Sequence, residues 1–157
     1  MAAAPHRVPL RRRAATVRFR PPPRHRRHLQ RHRRIARRKP PSPLGRHDYA
    51  AAQSAAQEVL SGPRSPRQVD AQFLLGQSLA GQRQYQQSAV AYYDAYNRAP
   101  RSGRAPEALL GVSASMLALG DKPSACQALA KMHAEFPQPA PRAKAAYASL
   151  RGRAGCH

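Results

Sequence analysis

The sequence predicts an all-α chain of antiparallel helix hairpins stacked in a short solenoid, on three observations. From His47 onward, apolar residues recur at the three-to-four-residue spacing of amphipathic helices. Gly and Pro interrupt that spacing where short turns would fall. The pattern also returns on itself at an offset of 37 residues.

The first predicted helix, about 47–60, sets Tyr49, Ala52, Ala56, Val59 and Leu60 on or near one face, and Gly62 and Pro63 stop it. The second, about 67–80, turns Val69, Phe73, Gly76 and either Leu79 or Leu75 toward neighbours and ends near Gly81. A third, about 84–98, carries Tyr85, Ala89, Tyr92, Tyr93 and Tyr96 and closes at Asn97 and Pro100. The spacing makes Tyr92 and Tyr96 packing residues and leaves Tyr93 partly exposed. The fourth, about 105–119, takes Pro106 into its first turn, where a missing amide hydrogen costs nothing, and ends at Gly120. A fifth, about 122–135, ends before Pro137, and a short sixth, about 141–150, presents Ala143, Ala146, Tyr147 and Leu150. Short turns between such helices force antiparallel neighbours.

At the offset of 37, Phe73 falls on Leu110, Leu75 on Val112, Leu79 on Met116, Tyr92 on Leu129 and Pro100 on Pro137. Arg67 and Arg104, Ala71 and Ala108, Ser78 and Ser115, and Ala91 and Ala128 are identities. Large, small, large and a closing Pro is the order of a tetratricopeptide-like unit, which implies a right-handed solenoid. Gly76 and Ser88 in one unit, and Ser113 and Ala125 in the next, are the small residues that let helices cross closely. Leu75, Leu79, Tyr92, Leu129, Val112 and Met116 fill the space beside them, with Pro100 and Pro137 at the unit ends. The repeat domain is placed at 47–156, as a partial unit over 47–66, units at about 67–103 and 104–140, and a terminal helix at about 141–150.

Residues 1–46 differ in kind. They carry 16 of the 28 Lys and Arg and none of the 7 Asp and Glu, whereas the remaining residues carry 12 basic and 7 acidic side chains, a net of +5. Pro21, Pro22 and Pro23 interrupt the tract and Pro40, Pro41 and Pro43 close it, so no helix crosses either cluster. Self-repulsion predicts a disordered Arg/Pro/His-rich segment. Three readings stay open for it: an arm that binds nucleic acid by counterion release, a solvated tail, or a stretch not native to the protein.

Residues 71–100, AQFLLGQSLAGQRQYQQSAVAYYDAYNRAP, and 106–137, PEALLGVSASMLALGDKPSACQALAKMHAEFP, carry a more specific signal. Over about 48–156 the chain resembles the C-terminal tetratricopeptide-repeat domain of the bacterial Tol-Pal system protein YbgF, or cell division coordinator CpoB, family. DYAAAQ at 48–53 is similar to the second helix of that family's first repeat. The resemblance implies a non-enzymatic interaction module in the periplasm. It would coordinate peptidoglycan synthesis with outer-membrane constriction in cell division through Tol-Pal or peptidoglycan-synthesis partners. The family's export signal and trimerisation segment are not found in the chain as written, and the first helix of the first repeat is absent. The apolar side of helix 47–60 is therefore expected to be exposed.

The resemblance also implies a peptide groove lined by the first helix of each unit. Its candidates are Asp70, Phe73, Gln77 and Ala80 in one unit and Glu107, Leu110, Ala114 and Leu117 in the next. Asp70 and Glu107 would meet a basic group on a peptide or, equally, serve their helix dipoles as first-turn acids.

Cys126 and Cys156 form a candidate disulfide. A sixth helix folded back on the fifth would bring them together, and some members of the family are similar in carrying such a pair. The alternative is a buried free Cys126 and an incidental Cys156. No Ser, Cys or Lys pairs recognisably with a base and an orienting acid, so no catalytic residue is assigned. The histidines lack converging ligands, so neither a metal nor any other cofactor is expected. His133 sits near a helix end, a favourable place for an imidazole. No apolar run is long enough to span a membrane.

Overall fold

The computed structural model describes Leu44, Gly45 and residues 47–157. Among the described residues there are six α-helices and no strand: α1 Tyr49–Ser61, α2 Arg67–Gly81, α3 Tyr85–Arg98, α4 Arg104–Ala118, α5 Lys122–Glu135 and α6 Pro141–Ala154. The expected disorder of 1–46, and its four histidines, fall outside the described residues apart from Leu44 and Gly45.

Helices α2 and α3 form one hairpin and α4 and α5 a second, and each of the four boundaries of the second lies 37 residues after its counterpart in the first. The turns repeat as well. Arg83 and Gly120 take left-handed backbone angles, φ 61° and 78°, and their amides donate to Ala80 O and Leu117 O, both at 3.0 Å. The next amides, of Gln84 and Asp121, donate to Leu79 O and Met116 O at 2.9 Å. His47 repeats the device ahead of α1, with φ 58° and its amide 3.0 Å from Leu44 O. Residues Asp48, Gln84 and Asp121 then share φ −87° and ψ of 78°, 66° and 77°. By backbone conformation α1 is entered by the same turn as α3 and α5.

Packing follows from this repetition. Helix α4 packs on both α3 and α5, α2 and α4 touch, and α6 rests on α4 and α5. First helices α2, α4 and α6 therefore make one row, with α3 and α5 beside it. The core gathers Phe73, Tyr92, Tyr96, Leu109, Leu110, Leu129, Met132 and Leu150 between alanines such as Ala95, Ala105 and Ala108. Small residues let the helix backbones approach, and one large residue per turn fills the gap beside them.

Three expectations change. The sixth helix runs to Ala154 rather than 150. Gly152 is tolerated inside it, at a cost of about 1 kcal/mol relative to Ala, and the stop comes at Gly155, whose φ is 66°. The apolar side of α1 is not exposed: Ala52 and Ala56 are buried and Tyr49, Val59 and Leu60 half-buried, with the Tyr49 ring lying over Gly81 of α2. Pro100 and Pro137 are exposed. They end units by removing an amide donor and fill no interior space.

Candidate functional site

Contacts between units decide which surfaces are free to bind anything. The Tyr92 ring on α3 lies between two glycines of successive first helices: a Cβ at Gly76 would come within 2.7 Å of it and one at Gly111 within 2.6 Å. Phe73 meets the same ring edge-on at 5.4 Å between centroids. Burial pushes the Tyr92 hydroxyl pKa up to about 12. Nearby, the Ser88 hydroxyl donates to Gly76 O at 2.8 Å and shares a 3.0 Å hydrogen bond with Ser115. This buried pair joins α3 to α4.

The first-helix row is tied by Arg104. Its guanidinium donates to Asp70 and to Glu107, each at 2.9 Å, and lies 4.8 Å over the Phe73 ring. Hydrogen bonding to Asp70, and secondarily to Glu107, raises its pKa further. The two acids thus form a bridge between units and are not free anionic receptors. Both also sit in the first turns of α2 and α4, as the helix-dipole reading required.

Gln68 makes a second tie. It is buried; its amide nitrogen donates to Gly62 O at 3.3 Å and Pro63 O at 3.2 Å, and its oxygen accepts from Arg98 at 2.8 Å. One side chain thereby holds the loop after α1 and the end of α3. At the second-helix ends, the Tyr96 hydroxyl donates to Glu135 at 2.5 Å, and Lys131 reaches the other Glu135 oxygen at 3.5 Å. The hydrogen bond to Glu135 is the main cause that raises the Tyr96 pKa.

Cys126 and Cys156 are bridged, closing α6 against α5 across a sequence separation of 30. His133 stacks on Tyr147 at 5.6 Å, a further contact between the same two helices.

The expected packing residues Gly76, Leu79, Ser88, Tyr92, Val112, Ser113, Ala125 and Leu129 are buried, and Leu75 and Met116 half-buried. Of the expected groove residues, Asp70, Glu107 and Ala114 are exposed and Gln77, Ala80 and Leu117 half-buried. Phe73 and Leu110 belong to the core. Their helix positions turn toward the neighbouring helix and not toward solvent, so a groove built on them is withdrawn.

The grooves lie elsewhere. A broad one of about 1570 Å³ follows the loops that join units and is bordered by Arg64, Asp70, Asp94, Asn97, Arg98 and Glu107. A smaller, more apolar one of about 530 Å³ has Leu75 and Leu79 in its floor and Gln87, Val90 and Asp94 in its wall. The positions 37 residues later, Val112, Met116, Ser124, Gln127 and Lys131, line a third of about 450 Å³. Val90 and Tyr93, which border the third groove, are among the large hydrophobic residues that stay exposed. Periodicity had signalled Tyr93; Val90, at an outward helix position, carried no signal. Neither did Gln68, which reads as an ordinary polar surface residue.

Among the described residues there is no group of three or more His, Cys, Asp or Glu placed to hold a metal, and no helix long and apolar enough to cross a membrane. No family model matches the chain, and no curated protein matches it significantly.

Proposed function

We propose that residues 47–156 form a tetratricopeptide-repeat docking module, without catalysis of its own, in the Tol-Pal cell-envelope system. In that role it coordinates peptidoglycan synthesis with outer-membrane constriction during division by holding partner segments on a preformed surface. The observation that carries this reading is the 37-residue identity of hairpin boundaries, together with the family-like strings on both copies. The bridge between Cys126 and Cys156 supports an oxidising compartment such as the periplasm. Preformed helices lose little freedom on docking, which suits a surface that gathers partners by shape and charge.

Crosslinking in intact cells followed by purification from an envelope fraction tests the proposal. Recovery of Tol, Pal or peptidoglycan-synthesis components is the expected result; confinement to the cytosol with none of these contacts would overturn it. The acid-free charge of residues 1–46 favours one second reading, a nucleic-acid-binding arm. A salt titration of nucleic-acid binding by the full chain and by residues 47–157 separates the two, because only the arm would give steep salt dependence.

A further inference from the structure

We infer that the groove between α2 and α3 is a docking site for a basic, aliphatic segment of a partner protein. The assignment rests on the docking-module reading and adds the surface and the chemistry of its occupant.

Leu75 and Leu79 lie in the floor and Val90 stands on the wall, with 58% of its surface in solvent. Leaving a β-branched aliphatic this open beside an apolar floor costs hydration free energy that a covering side chain would recover. Gln86 and Gln87, on the same wall, are exposed and offer amide donors and acceptors to a partner backbone. Such groups suit a polypeptide better than a compact ligand.

Charge then selects the sign of the partner. Asp94 is the one charged residue in this groove; it is exposed, with no ion pair or hydrogen bond to a described residue. The two acids that share the broad groove with it, Asp70 and Glu107, are engaged by Arg104. A free carboxylate within a surface of net positive charge is complementary to a Lys or Arg placed about one helical turn from an aliphatic residue. The repeat supplies its own comparison. In the equivalent groove, the place of Asp94 is taken by Lys131 and that of Val90 by Gln127. Val90 and Asp94 border that groove as well, but Lys131 stands there with them, whereas no cation lines the groove between α2 and α3.

The test uses the full chain and three short labelled peptides at helical spacing: Leu with Lys, Leu with Gln, and Gln with Lys. Fluorescence anisotropy is read in about 0.15 M salt, where repulsion from distant Arg residues is screened beyond about 8 Å. The Leu/Lys peptide is expected to bind most tightly, although the chain as a whole carries +21. Val90→Ser and Asp94→Lys should each weaken it by about tenfold, the loss of one apolar anchor or one charge complement. Both positions are exposed, and circular dichroism melting verifies that the variants stay folded. Gln127→Ala, at an exposed position that lines only the third groove, should leave affinity unchanged. Equal binding of all three peptides, binding of none, or full retention in both groove variants would overturn the assignment. If envelope partners still crosslink to the chain when the groove variants have no effect, only the groove assignment fails. Loss of those crosslinks in the wild-type chain instead removes the docking-module reading.

Discussion

Tyr92 concentrates the packing problem at the residue scale. A methyl group at Gly111 would gain helix propensity worth up to about 1 kcal/mol, but it would enter a buried ring that has Gly76 on its other side. Overpacking of this kind costs about 1–3 kcal/mol, so Gly111→Ala is expected to destabilise the chain despite the better helix former. Urea titration measures it. The same ring sets an alkaline limit. Its hydroxyl ionises near 10.0 when unfolded and about 12 when buried, so the folded state holds the proton longer, and the contribution is complete below pH 10 and lost as pH rises through 12. Tyr92→Phe should flatten that part of the stability profile, read by denaturant titration across the same range. Gln68→Leu should cost about 1–3 kcal/mol by leaving the loop carbonyls and Arg98 without their partner, with faster amide exchange in residues 62–66. Gly76 was legible in the sequence because a small residue, Ser113, recurs at its height, but Gly111 was not, since its counterpart 37 residues earlier is Leu74. Gln68 was not, since a buried amide bonded to loop carbonyls breaks no hydrophobic period and has Ala105 as its counterpart.

At the scale of elements, helix ends were legible wherever Gly, Pro or an acid marks them. Asp48 and Asp121 cap α1 and α5 by accepting from Ala51 N and Ser124 N at 3.1 Å. The hydrogen bonds from Ser124 also hold the Asp121 pKa low, so this cap stabilises α5 at neutral pH and is lost on acidification. Gly152 misled because glycine inside a helix weakens it without ending it. The outer face of α6 differs from that of α4. Ser149 and Arg153 stand 37 residues after Val112 and Met116, so two positions that hold apolar side chains in α4 are polar in α6. The disulfide then fastens this weakly apolar helix to α5. Replacing both Cys126 and Cys156 with Ser should cost about 3–4 kcal/mol in the chain-entropy estimate. Hydrogen exchange should report the loss mainly in α6, while α2 and α3 keep their protection.

For the whole molecule, two hairpins and flanking helices stack because each second helix enters a space between two first helices. The hairpin order was readable from one chain because structural repetition writes the same constraint twice. The grooves were not, since the first-helix residues expected to line one, Phe73 and Leu110, are core residues, and the exposed apolar wall falls on α3 instead. The proposed docking depends on this stacking: if α4 did not seat against both α2 and α3, the groove would have no fixed shape. Tyr92 reports that arrangement directly, because one ring touches both first helices. In a solution NMR spectrum with assigned glycines, nuclear Overhauser contacts are expected from the Tyr92 ring protons to the α protons of both Gly76 and Gly111. Contacts to only one of the two, or to neither, would contradict the stacked-hairpin account.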